Sequence, residues 1–155
     1  FVNEENLGEG GIVSTVDDLL RWAAVLRGPR PRGGLLLSER RWSELLAPTR
    51  LRHGIVSPYG LGLWRQDYRG VEVIHHPGGV IGGNSQLLTV PAHALDVAIM
   101  TNGSIASAAD LAWKVVDQLL ADRLAKPVPK AGSERFPHLF GQRYHGEDGL
   151  VFGFG

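Results

Sequence analysis

Hydrophobic positions recur along this chain with two different periods, and the changes of period mark out its elements. Val16, Leu19, Leu20, Ala23, Ala24 and Leu26 fall along one helical stripe. Ser14 and Thr15 stand before it, with Asp17 and Asp18 three residues after each. This is a capping-box spacing with aspartate in the usual glutamate place, and Gly28 sits where a C-cap glycine belongs. The pattern predicts a helix over about 15–27. Ser38 is placed to cap a second, short helix containing Trp42, Leu45 and Leu46, which Pro48 stops.

From Tyr59 the period becomes two. Tyr59-Gly60-Leu61-Gly62-Leu63-Trp64 alternates as a half-buried strand would, and Arg65 to Gly70 reads as a polar turn. Val71 to His76, Ser85 to Val90 and Leu95 to Thr101 read as further strands, the last two joined by a turn around Pro91-Ala92-His93. Short connections between successive strands require antiparallel pairing. Asn102-Gly103-Ser104 ends the sheet, and the helical period returns in Ile105, Ala109, Ala112, Val116, Leu119 and Leu120. A second long helix is predicted over about 105–124. The fold class read from this order is α+β, an antiparallel sheet flanked by helices.

The segments between carry loop chemistry. Residues 1–13 are polar and then glycine-rich, and Gly28 to Gly34 is a breaker-rich connector. Residues 126–135 have linker composition, and 136–155 read as the opening of a second domain, leaving 1–125 as the first. The start at Phe1-Val2-Asn3 and the alternating end at Gly149 to Gly155 both read as breaks in a longer chain.

Composition narrows the function classes. The 155 residues suffice to bury a sizeable core, and 43% apolar with 21% charged residues is ordinary for a globular protein. Sixteen basic and sixteen acidic side chains cancel, so no nucleic-acid partner or anionic surface is suggested. No run of about 18 apolar residues forms a membrane span. Cysteine is absent, which excludes disulfides and cysteine-ligated zinc. No ligand spacing joins His53, His75, His76 or His93, so no metal is expected.

The candidate chemistry lies in His75-His76-Pro77-Gly78-Gly79-Val80-Ile81-Gly82-Gly83-Asn84-Ser85. A β-branched run delivers two imidazoles to four glycines within six residues. Imidazole titrates near neutrality and glycine lets a ligand approach the main chain, which suits a hydrolytic site. The same residues also suit a tight turn between strands with histidines that pack. Period two puts His75 and His76 on opposite faces.

The segments GGIVSTVDDLLRWAAVL, YGLGLW, HPGGVIGG and LDVAIMTN, in this order and spacing over residues 8–124, closely resemble the serine β-lactamase-like hydrolases. That family includes class C β-lactamases, DD-peptidases, esterases and D-aminopeptidases. The resemblance is to the C-terminal part of the catalytic domain, in which helices lie against a five-stranded antiparallel sheet. It implies a fragment without the N-terminal strands and the helical region that bears the nucleophile. The family's Ser-x-x-Lys element is absent here, since no serine is followed three residues later by lysine. Its Tyr-x-Asn element is absent too, because Tyr59, Tyr68 and Tyr144 precede Leu61, Gly70 and Gly146 at that spacing. A missing N-terminal segment is expected to carry both.

The family's third element, Lys-Thr-Gly or His-x-Gly, reads here as His76-Pro77-Gly78. The resemblance makes His76 the side chain that faces the nucleophile, and Gly79 the donor of half an oxyanion hole. Gly78 would permit close approach of the nucleophile's helix, and Asn102 could touch substrate or merely turn the chain. Pro77 replaces a hydroxyl that helps hold a substrate carboxylate, which argues against β-lactam and DD-peptide substrates. Proline also lacks an N–H, so residues 77 and 79 should both point toward an open strand edge. The tail motif Phe140-Gly141-Gln142-Arg143-Tyr144 resembles the first strand of the lipocalin-like domains that follow D-aminopeptidase catalytic domains. The expectation is a serine hydrolase acting through an acyl-enzyme on a small amide or ester, with no cofactor. A non-catalytic binding or assembly module on the same fold is the rival. Trp22, Trp42, Trp64 and Trp113 are expected to pack.

Overall fold

A computed structural model describes residues 10–27, 38–103 and 105–126, and the backbone of 143–145 and 151–153. The expected loop over 1–9, the Gly28 cap, the connector over 28–37, Ser104 and most of 127–155 lie outside the described residues. The chain divides into two units, Phe1–Ala125 and Lys126–Gly155.

In the first unit, helix α1 spans Val16–Arg27 and α2 spans Glu39–Leu46. Thr15 accepts from the Asp18 N–H at 3.2 Å and gives its own proton to the Asp18 carboxylate at 3.1 Å. The Ser38 hydroxyl accepts from the Arg41 N–H and caps α2. Short strands β1 (Thr49–Arg50) and β2 (Val56–Ser57) pair with each other. Strands β3 (Trp64–Tyr68), β4 (Val71–Val80), β5 (Gly83–Val90) and β6 (Leu95–Asn102) then form one antiparallel sheet in chain order. Helix α3 (Ala108–Leu119) closes the unit.

Two expectations shift. The run Tyr59 to Leu63 is a turn rather than a strand: Gly60 donates to Leu63 O at 2.8 Å, and Gly62 takes φ +83°. The strand starts at Trp64 and uses Arg65 to Tyr68, residues whose polarity reads as a turn. Glycine also has a steric reason here, because a Cβ on Gly60 would lie 2.7 Å from the Ala47 carbonyl oxygen. The last helix begins at Ala108 behind a Ser107 cap, so Ile105 lies outside it and is fully exposed.

The sheet is buried on both faces, which is why Leu87, Leu88, Thr89 and Val90 are all buried in a row. Val71, Val73, Leu88, Val90 and Val97 pack on one face against Ala112, Val116, Leu120 and Leu124. Ile74 and Leu87 pack on the other against Leu63, Ala23 and Leu26, flanked by Trp22 and Trp42 in an edge-to-face pair. The buried polar side chains of Gln86 and Thr89 are satisfied. Gln86 donates to Leu87 O, and Thr89 donates to Asp96 at 2.7 Å, whose other oxygen takes Arg27 of α1 at 2.8 Å.

Asn84 ties β5 to the start of α3. Its amide nitrogen reaches Ala106 O at 3.0 Å and Gly103 O at 3.4 Å, while its oxygen accepts from the buried Ala108 N–H at 2.6 Å. Asn84→Ala should therefore lower stability by about 2–3 kcal/mol, since it removes these bonds and orphans a buried donor. Urea unfolding checks this, and a loss under about 0.5 kcal/mol, the size of an ordinary surface change, would refute the tether.

In the second unit, strands β7 (Arg143–His145) and β8 (Val151–Gly153) pair antiparallel, with Tyr144 opposite Phe152.

Candidate active site

The sheet ends unevenly. Trp64 of β3 stands opposite His75 of β4, and beyond that pair β4 has no neighbouring strand on this side among the described residues. On its other side β4 stays paired with β5 from Ile74 to Val80. His76 to Val80 is thus an edge segment of a strand that is internal elsewhere. Gly82, at φ +90°, turns the chain back into β5, and Ile81 at the tip is fully exposed.

The backbone groups of this edge are fixed by the pairing on the far side of β5. Asn84 directs both its N–H and its C=O at the Thr101 hydroxyl of β6, at 3.4 and 3.2 Å. Its partner across β4 is Gly79, so this pair exchanges no hydrogen bonds and the Gly79 N–H points to the open edge. Pro77, two residues earlier, turns its nitrogen the same way, where no donor is required. A bare glycine N–H on an unpaired edge is a ready hydrogen-bond donor for a ligand.

Side chains alternate across the sheet. His76 and Gly78, with their partners Leu87 and Ser85, share the face packed by α1, and Met100 and Asn102 of β6 continue it. The covered part of this face ends near Leu87. His76, Gly78, Val80, Met100 and Asn102 are all exposed beyond it. The Ser85 hydroxyl fills the space where Gly78 lacks a side chain, and a Cβ there would collide with it.

His76 Nε2 meets the Tyr59 hydroxyl at 3.1 Å, with the rings tilted at 47°. The Tyr59 ring leans on Trp64 at 5.1 Å, and its backbone is held by Thr49, Ser57 and a bridge to Trp64. Reasoning from sequence missed Tyr59 as a neighbour of His76. Glycines at 60 and 62 inside an apparent strand were the available signal for a turn that brings it there.

His75 occupies the other face. It stacks on Trp64 at 6.3 Å, meets Trp113 edge-on at 5.2 Å, and has Nδ1 3.3 Å from the Gln86 amide nitrogen. Its Nε2 is buried without a partner. Burial first, and the neighbouring His76 second, push its pKa below the ordinary histidine value, so it stays neutral at pH 7. Gln86 must donate to it, which leaves the ring proton on Nε2. Pro77 lies on this face too, exposed. Among the described residues no group of three His, Cys, Asp or Glu side chains could hold a metal.

The beta-lactamase family model matches residues 2–121. The chain belongs to the beta-lactamase family. This member is also similar to a D-aminopeptidase of Brucella ovis, 28% identical over 146 residues that make up 94% of the chain and 26% of the relative. An unguisins hydrolase of Aspergillus violaceofuscus is 28% identical over 132 residues, 73% of the chain and 23% of the relative. The chain thus spans about a quarter of the length of these curated relatives. An octameric penicillin-binding protein homologue from Pyrococcus abyssi superposes with a TM-score of 0.55 at 20% identity, over 97% of this chain and 36% of that one. The shared fold is the α+β arrangement of β-lactamases and transpeptidases, and the family is one of serine hydrolases.

Proposed function

We propose that residues 1–125 form one wall of the active site of a serine hydrolase that works through an acyl-enzyme on small amides or esters. A D-aminopeptidase-like activity comes first and esterase activity second. One observation carries the reading: the exposed imidazole of His76 and the outward N–H of Gly79 share a stretch of β4 whose edge is unpaired among the described residues. His76 would orient the nucleophile and its proton acceptor and stabilise developing charge, and Gly79 would donate to the oxyanion. Gly78 would give room for the segment that bears the nucleophile. Asn102, exposed on the same face, would contact substrate, and Pro77 would deny it the hydroxyl that a carboxylate-bearing β-lactam uses. The nucleophilic serine and its lysine would come from outside these 155 residues, because no Ser-x-x-Lys occurs among them. Residues 126–135 would link this unit to a β-domain that begins at 136, where β7 and β8 already pair.

A fluorophosphonate probe tests the reading. The full-length protein should become labelled at a serine upstream of residue 1, and residues 1–155 alone should not. Labelling of the isolated stretch would refute the assignment of the nucleophile, and an inert full-length protein would favour a binding or assembly module.

A further inference from the structure

The Tyr59–His76 contact joins a residue of the turn before β3 to the edge of β4. We propose that Tyr59 is a positioning residue that holds His76 as one tautomer, with its proton on Nδ1. The inference rests on the hydrolytic role of His76 proposed above and adds a residue and a protonation pattern to it.

The chemistry of the pair sets the direction of the bond. A neutral imidazole has one accepting and one donating nitrogen. A phenol is a stronger donor than acceptor, so its O–H points at the ring nitrogen it meets, Nε2, 3.1 Å away. With Nε2 accepting, the proton resides on Nδ1, and Nδ1–H is the donor left for substrate or nucleophile. A flexible donor would not select a tautomer well, but Tyr59 is not flexible. Its N–H is bound to the Ser57 hydroxyl at 3.2 Å, its carbonyl accepts from Thr49 at 3.3 Å, and its ring packs on Trp64. The next residue, Gly60, lies so close to the end of α2 that a Cβ would meet the Ala47 and Leu45 carbonyls. Backbone packing thus sets where the hydroxyl stands before any substrate arrives.

The neighbouring histidine has the opposite assignment. His75 accepts from Gln86 on Nδ1 and carries its proton on Nε2. Consecutive histidines in one strand are thereby fixed in different tautomers by donors on opposite faces.

Long-range proton–nitrogen correlation spectra of histidine-labelled full-length protein, at about pH 8.5 where imidazole is neutral, read the tautomers directly. His76 should show the Nδ1–H pattern and His75 the Nε2–H pattern. In Tyr59→Phe, which keeps the ring on Trp64, His76 should revert to a mixture and kcat should fall about three- to tenfold, the size of one hydrogen bond, with KM little changed. An Nε2–H pattern for His76 in the parent protein overturns the proposal whether or not the variant folds. Unchanged spectra and kcat in Tyr59→Phe overturn it as well, provided that His76→Ala lowers turnover at least about tenfold. If His76→Ala lowers turnover by less than about tenfold, the hydrolytic role of His76 fails instead.

Discussion

Replacing His76 with alanine in the full-length protein should lower kcat/KM on a D-amino-acid amide or ester about a hundred- to ten-thousandfold, the range for a positioned acid–base side chain. Stability should change by no more than about 0.5 kcal/mol. The two expectations separate because of where the ring sits. The Cβ of His76 lies opposite Leu87 in a regular ladder, and alanine preserves that pairing. The ring beyond it is exposed and touches the Tyr59 hydroxyl rather than either apolar core. Kinetics and a urea melt on the same preparation check both halves. A fall of less than tenfold would make His76 a bystander, and a matching loss of stability would make it structural.

The second large effect concerns a backbone atom. Gly79→Pro deletes the N–H aimed at the open edge, adding a ring whose bulk the alanine control below measures in part, and should reduce kcat about a hundred- to a thousandfold, the cost of one oxyanion donor. Elsewhere in a sheet proline also removes a ladder bond. Here the ladder loses nothing, because the Gly79–Asn84 pair exchanges no hydrogen bonds. Gly79→Ala is the matched control: it keeps the N–H, and its Cβ meets nothing within 4 Å. The alanine variant should retain most of its turnover. Equal losses in both variants would mean that bulk at position 79, and not the donor, matters.

Much of this was legible in local pattern. Thr15 with Asp18, and Ser38 with the residues after it, mark their helix starts because capping is decided within one turn of chain. The opposite placement of His75 and His76 follows from period two alone. The failures are all non-local. Arg65 to Tyr68 looks like a turn because its polar side chains face solvent or ion partners such as Glu72, yet the backbone pairs with Val71 to Ile74. The final helix starts behind Ser107 and not at Ile105, and Asn84 on a different strand holds the Ala106 carbonyl just before it. Tyr59 reaches His76 from a turn whose Gly60 lies tight against the end of α2, a packing fact that no spacing rule encodes. The role proposed for each site residue depends in addition on a nucleophile that no Ser-x-x-Lys among these 155 residues supplies.

The double burial of the sheet has a consequence for how this sequence can change. Along β4, odd-numbered side chains answer to α3 and its tryptophan, whereas even-numbered ones answer first to α1 and then to whatever occupies the open end. Among the described residues the apolar members of the two sets pack into separate clusters. Parity therefore divides the labour of a single strand: the exposed side chain at 80 can change without renegotiating the core at 71, 73 and 75.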